Sequence, residues 1–217
     1  QISDADLREG PAPVVRLAIQ ARTSSRAALW ESYLANVLGR HMNVLVLGMG
    51  GDQLDAIGRE TDVAALVVLY AHLHRHLDRL ARASWYALGH AQRTHETARN
   101  GGMPRWVNTF HTGAREAIDE RMKAQRQAAI SASSTIGDSA AGSTTALARS
   151  AAALVKLDAY ARETKAAVNS WCAANDIRVQ TTKSRIAITG SGAMDAGRRA
   201  GGSVSLSPSA RALPGRR

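Results

Sequence analysis

The chain has 217 residues and is strongly basic, with 28 Lys+Arg against 18 Asp+Glu and a net charge of +10, a length that suits one domain with or without an appendage. Apolar residues make up 45% but aromatics only 4%, so a core must be built from Ala, Leu, Val and Ile, and extensive base stacking is not expected. The single cysteine, Cys172, excludes an internal disulfide framework and a Cys-clustered zinc site, which fits a reducing, cytoplasmic setting, and the longest apolar runs, 44–47 and 63–71, fall far short of the roughly 18 to 20 residues of a membrane helix.

Residues 1–24 read as a linker, without the charged and apolar sequence of a signal peptide. From 25 to 40, Leu29, Trp30, Tyr33, Leu34 and Val37 recur at helical steps, and Gly39 marks the end of that helix. Residues 43–47 are β-branched and apolar, Gly48-Met49-Gly50-Gly51-Asp52 is turn chemistry, and 53–57 alternate polar and apolar, which predicts a β-hairpin. Thr61 and Asp62 then open a helix whose apolar stripe runs through Val63, Leu66, Tyr70, Leu73, Leu77, Leu80 and Leu88 and which extends to about Ala98.

Asn100-Gly101-Gly102 stops that helix, Pro104 suits the first turn of the next, and Val107, Phe110, Ala114, Ile118 and Met122 form a second stripe. The short connection predicts a long antiparallel helical hairpin. Ser, Ala, Thr and Gly dominate 131–150, whose first part reads as a flexible insert near 131–145, and helical pattern resumes over 146–174. Residues 177–180 and 185–189 suggest a second β-hairpin. Residues 192–202 allow at most a short helix because Gly197 interrupts them, Val204 and Leu206 suggest a strand, and 207–217 read as a disordered basic tail. Long helices with two short β-hairpins define an α+β class, as a single domain over 25–206.

Charge divides unevenly: residues 1–60 sum to −1, 61–130 to +4, 131–176 to 0 and 177–217 to +7. Among the 28 cations 24 are Arg, whose planar forks suit phosphate. In the last segment Arg178, Lys183, Arg185, Arg198, Arg199, Arg211, Arg216 and Arg217 face only Asp195, a balance that points to nucleic-acid backbone. On the long helix His72 and His76 lie four residues apart and read as solvent-facing residues beside the Leu73 and Leu77 stripe, so no metal is expected. The alternative is that both reach one metal ion, but the spacing does not demand Asp78 or His111 as further ligands and no Glu stands between the two histidines as in a metalloprotease helix. The Gly48 turn fails as a dinucleotide fingerprint because Gln53 occupies the third glycine position, so no cofactor is expected. Cys172 beside Trp171 reads as a packing residue, and Glu116, Asp119 and Glu120 as surface partners of Arg115 and Lys123.

Four stretches carry a family pattern: the Trp-led helix at 30–38; residues 44–80, with ETDVAALVVLYAHL; residues 108–122, NTFHTGAREAIDERM; and residues 193–206, AMDAGRRAGGSVSL. Their order resembles a family of phage, prophage and actinobacterial proteins that pair a short N-terminal helical module with a larger C-terminal domain of unknown function. Gln1-Ile-Ser-Asp-Ala-Asp-Leu7 looks like the exit from that module, which makes 1–24 a linker from a missing N-terminal part. The resemblance implies no catalytic residue, and its phage setting points by association to nucleic-acid transactions. The expectation is a non-enzymatic accessory protein that contacts DNA or RNA backbone through the C-terminal cations, with the helical hairpin as scaffold and as a surface for homo-oligomerisation. Alternatives are a metal-dependent hydrolase using His72 and His76, and a protein-interaction module with an acidic partner.

Overall fold

The apolar run at 43–47 and the alternation at 53–57 are realised as an antiparallel hairpin in the computed structural model of the chain, which describes residues 12–20, 28–48, 53–135, 144–179 and 191–207. Strands β1 (Val14–Gln20), β2 (Leu45–Gly48) and β3 (Gln53–Arg59) form an antiparallel sheet of order β1-β3-β2. The helices are α1 (Ala28–His41), α2 (Glu60–Tyr86), α3 (His90–Asn100), α4 (Gly102–Thr135), α5 (Thr144–Ala174) and α6 (Ser191–Ser203). The class is α+β, as the sequence predicts. The chain divides into two compact units: one holds 1–72, 167–181 and 207–217, the other 73–166 and 182–206.

In the first unit the sheet is covered on both faces. Ile57 packs with Val168 and Cys172 near the end of α5, joined by Val14, Leu45, Leu47, Trp171 and Ile177. On the opposite face Val44 and Val46 meet α1 at Gly39, and Gly58 lies against Val44 and Val63. Strand β1 falls within the stretch expected to be linker. It is the partner of β3 over its whole length, Val14 opposite Arg59 and Gln20 opposite Gln53, so residues 14–20 belong to the sheet. Asp55, 1% exposed, is held there by the Arg16 Nε at 2.6 Å and the Gln53 amide at 3.0 Å, since a buried carboxylate needs donors to replace water.

Glycine 39 does not end α1, which runs on to His41. The stop comes at Asn43, whose φ of 56° is the left-handed conformation that reverses the chain while Val44 N–H donates to the Gly39 carbonyl at 2.9 Å. Helix α5 ends the same way, with Asp176 at φ 51° and Ile177 N–H donating to the Cys172 carbonyl at 2.9 Å. Asn and Asp tolerate this conformation better than other side-chain-bearing residues.

The second unit contains the later part of α2, α3, α4, the first part of α5 and α6. The single helix expected from 61 to 98 is two helices, broken between Tyr86 and His90. The break lets Leu88 pack on Trp85, Trp106 and Ala193, with Gly89 extended at φ −62°, ψ 157°. Trp85 and Trp106 meet edge to face at 5.8 Å, and the Trp106 indole N–H donates to Ser84 Oγ at 3.0 Å. Gly101, at φ 75°, closes α3. Leu73, Leu77, Phe110, Ala114 and Ile118 are buried as the stripes predict, whereas Val107 is only half-buried.

Gly197 does not interrupt α6, a continuous helix of 13 residues. It lets α6 lie directly on α4: a Cβ at Gly197 would strike the Phe110 carbonyl oxygen, one at Gly201 that of Ala114, and one at Gly113 that of Met194. The glycine spacing is therefore a contact surface, in the way small residues allow close helix approach elsewhere. Arg121 of α4 donates to the carbonyls of Gly201 and Val204, each at 2.7 Å, and so satisfies acceptors at the C-terminal end of α6, where a cation is also favoured electrostatically. Val204 is buried in a bend after α6, and residues 204–206 form no strand.

The flexible insert is not found at its expected ends, because α4 reaches Thr135 and α5 begins at Thr144. Residues 136–143 lie outside the described residues. So do 180–190, with most of the expected second hairpin, although its first part, 177–179, is not strand. The expected tail lies outside them after Ser207. No helix among the described residues is long and apolar enough to cross a membrane.

Candidate nucleic-acid interface

Helix α6 has one face committed to packing and one left to solvent. Ala193, Met194, Gly197 and Gly201 are buried, whereas Asp195, Arg198, Arg199 and Gly202 are exposed. The structure thus brings Arg198 and Arg199 side by side on a helix locked to its neighbour. Their electrostatic settings differ. Arg198 Nη2 donates to Glu116 Oε2 of α4 at 3.1 Å and its Nη1 lies 3.8 Å from Asp195. Arg199 makes no ion pair among the described residues. Glu116 also stands 3.8 Å from Arg115, and Lys123 pairs with Asp119 at 2.6 Å as its four-residue spacing predicts.

Arg178 follows α5 in the first unit and is exposed. Lys183, Arg185 and Arg211 lie outside the described residues, as do Arg216 and Arg217. The expected basic region is therefore represented by Arg178 in one unit and by the Arg198 and Arg199 pair in the other.

Of the histidines, His72 and His76 are both on α2 and half-buried, and His76 Nδ1 lies 3.1 Å from the Arg79 guanidinium. No group of three or more His, Cys, Asp or Glu placed to share a metal ion occurs among the described residues. Asp78 is engaged by Arg82 Nε at 3.0 Å. His111, 2% exposed on α4, has its pKa lowered to about 3, first by burial and then by His74 and the positive charge of Arg82. It is thus a neutral core residue at physiological pH. Burial likewise pushes the Cys172 thiol up, away from thiolate chemistry, in keeping with its packing role.

The sequence pattern singles out the histidines of α2 but not the arginines beside them. Arg75, Arg79 and Arg82 are all exposed and recur at steps of four and three, opposite the buried Leu73, Leu77 and Ala81. Tyr86, the next position on that line, is 64% exposed. The spacing is the signal that could have found them.

No family model, curated protein or solved structure matches this chain. The phage and actinobacterial resemblance accordingly rests on the four sequence stretches alone.

Proposed function

We propose that this protein is a non-enzymatic accessory protein that contacts the backbone of DNA or RNA, with Arg178, Lys183, Arg185, Arg198, Arg199 and Arg211 among the contacting cations. The observation that carries the reading is the segregation of charge by unit. Among the described residues, those of 73–166 and 182–206 hold 16 Lys+Arg against eight Asp+Glu, a net +8, while those of the other unit hold four against five, a net −1. A potential concentrated on one unit attracts polyanions more strongly than the same charge spread evenly. Arg198 and Arg199 are displayed on an anchored helix, so little ordering accompanies their contact with phosphate, and the Glu116 pair at the surface is weak enough to be exchanged for it.

Fluorescence anisotropy of labelled duplex and single-stranded oligonucleotides of mixed sequence tests this. The full chain binds at low salt with little sequence preference, and Arg198→Ala with Arg199→Ala weakens binding. Absence of binding to any DNA or RNA at low salt sinks the reading in favour of an acidic protein partner.

A further inference from the structure

Helix α2 turns its apolar positions Leu73, Leu77, Ala81 and Trp85 into the core of the second unit. Arg75, Arg79, Arg82 and Tyr86 fall on the opposite side and are exposed. From Arg75 to Tyr86 the helix rises about 16 Å at ~1.5 Å per residue, so these four side chains form a line along its axis. The only acid on this stretch is Asp78, whose bond to Arg82 is a surface pair four residues apart, weak enough to yield to a phosphate.

At the end of the line stands an aromatic ring with no place in the core. Trp30, Tyr70, Trp85, Trp106 and Phe110 are all buried, yet Tyr86 is 64% exposed in a chain where aromatics make up 4%. Its backbone is held, because Arg93 of α3 donates to the Tyr86 carbonyl at 2.9 Å and thereby ties α3 back onto the end of α2. An exposed ring on a held backbone, in line with guanidinium groups, is the combination that binds single-stranded nucleic acid: cations track phosphates, and the ring takes the face of an unpaired base. A duplex offers no such base face along its length. A membrane is a poor fit, since the apolar side of α2 is already buried and its outer side carries charge.

We propose that the outer face of α2 is a second contact surface, specific for single-stranded nucleic acid, on which Arg75, Arg79 and Arg82 hold phosphates and Tyr86 stacks on a base. The proposal rests on the nucleic-acid reading above but on none of its C-terminal cations.

The test measures a fluorescein-labelled oligothymidylate and a mixed-sequence duplex against the full chain, with circular dichroism to confirm that each variant is folded. Changing Arg75, Arg79 and Arg82 together to Gln lowers the affinity for the single strand at least tenfold and reduces the slope of log K against log salt by about 2, as expected for three contacts at ~0.7 each. Tyr86→Ala weakens the single strand about fivefold or more and leaves the duplex unchanged, and Tyr86→Phe binds like the wild type. Photocrosslinking the unaltered chain to an oligonucleotide carrying 5-iodouracil places the adduct on Tyr86, a readout that depends on no variant. If the α2 variants bind like the wild type while Arg198→Ala with Arg199→Ala loses binding, this inference falls and the C-terminal reading stands. Adducts confined to α6 overturn it equally. Binding to anionic phosphatidylserine vesicles but not to the oligonucleotide overturns it in favour of lipid, and failure to bind either nucleic acid removes both readings.

Discussion

At Gly197 the residue is dictated by a carbonyl on another helix. Any side chain there must displace the Phe110 backbone, which cannot swing aside as a flexible side chain would. Gly197→Ala should therefore destabilise the fold by about 1–3 kcal/mol despite the better helix propensity of Ala, read as a lower urea midpoint. An unchanged midpoint would show that α6 is not clamped to α4. His111 supplies a pH signature. Its folded pKa is about 3 against 6.5 for an ordinary histidine, so between these values the unfolded chain binds a proton that the native state does not. Its contribution to stability falls as pH drops through that window, by up to about 1.4 kcal/mol per pH unit, and is flat above it. Denaturation of the wild type and of His111→Gln from pH 7 to pH 4 should show a shallower pH slope in the variant, whatever its stability at pH 7. Equal slopes would mean that His111 is protonated in the native state.

Strand β1 depends on an ion pair between residues 39 positions apart in sequence. Arg16→Ala leaves Asp55 buried with the Gln53 amide still donating to it, and should cost about 1–3 kcal/mol; adding Asp55→Ala should recover part of that loss, because the cost lies in stranding a buried carboxylate rather than in losing an attraction. A double variant no more stable than the single one would refute this account. The same strand shows how far the sequence could be read. Val15, Leu17 and Ile19 alternate as a strand should, but the partner of β1 is β3, and nothing local announces a pairing across that separation. The β2 and β3 hairpin was legible because its turn chemistry lies between its strands. The breaks expected at Gly39 and Gly197 are absent for one physical reason: these glycines, which look like punctuation, are spaces for neighbouring backbone or side chains. In the candidate site, the exposure of Arg198 and Arg199 was legible from the small residues between which they sit. The approach of Glu116 was not, since it comes from α4, 82 residues earlier.

Charge summed along the chain places the excess at the C-terminus, whereas charge summed over the described residues of each compact unit places a net +8 on those of 73–166 and 182–206. The two sums make different predictions about the last residues. Arg211, Arg216 and Arg217 lie in 207–217, outside the described residues after Ser207. With about four phosphate contacts, log K against log salt should slope by roughly −3 to −4 on duplex or single-stranded DNA. If the contacts are made by the charged unit, deleting 207–217 should leave most of that slope in place, and the variant should still bind mixed sequences alike. A tail acting alone as an electrostatic tether would give the opposite result, with a slope near zero after the deletion. Titrations of the full chain and the deletion from about 50 to 200 mM salt separate the two outcomes, because four contacts change affinity by roughly two orders of magnitude over that range. A collapse of the slope on deletion would move the nucleic-acid contact into the last eleven residues.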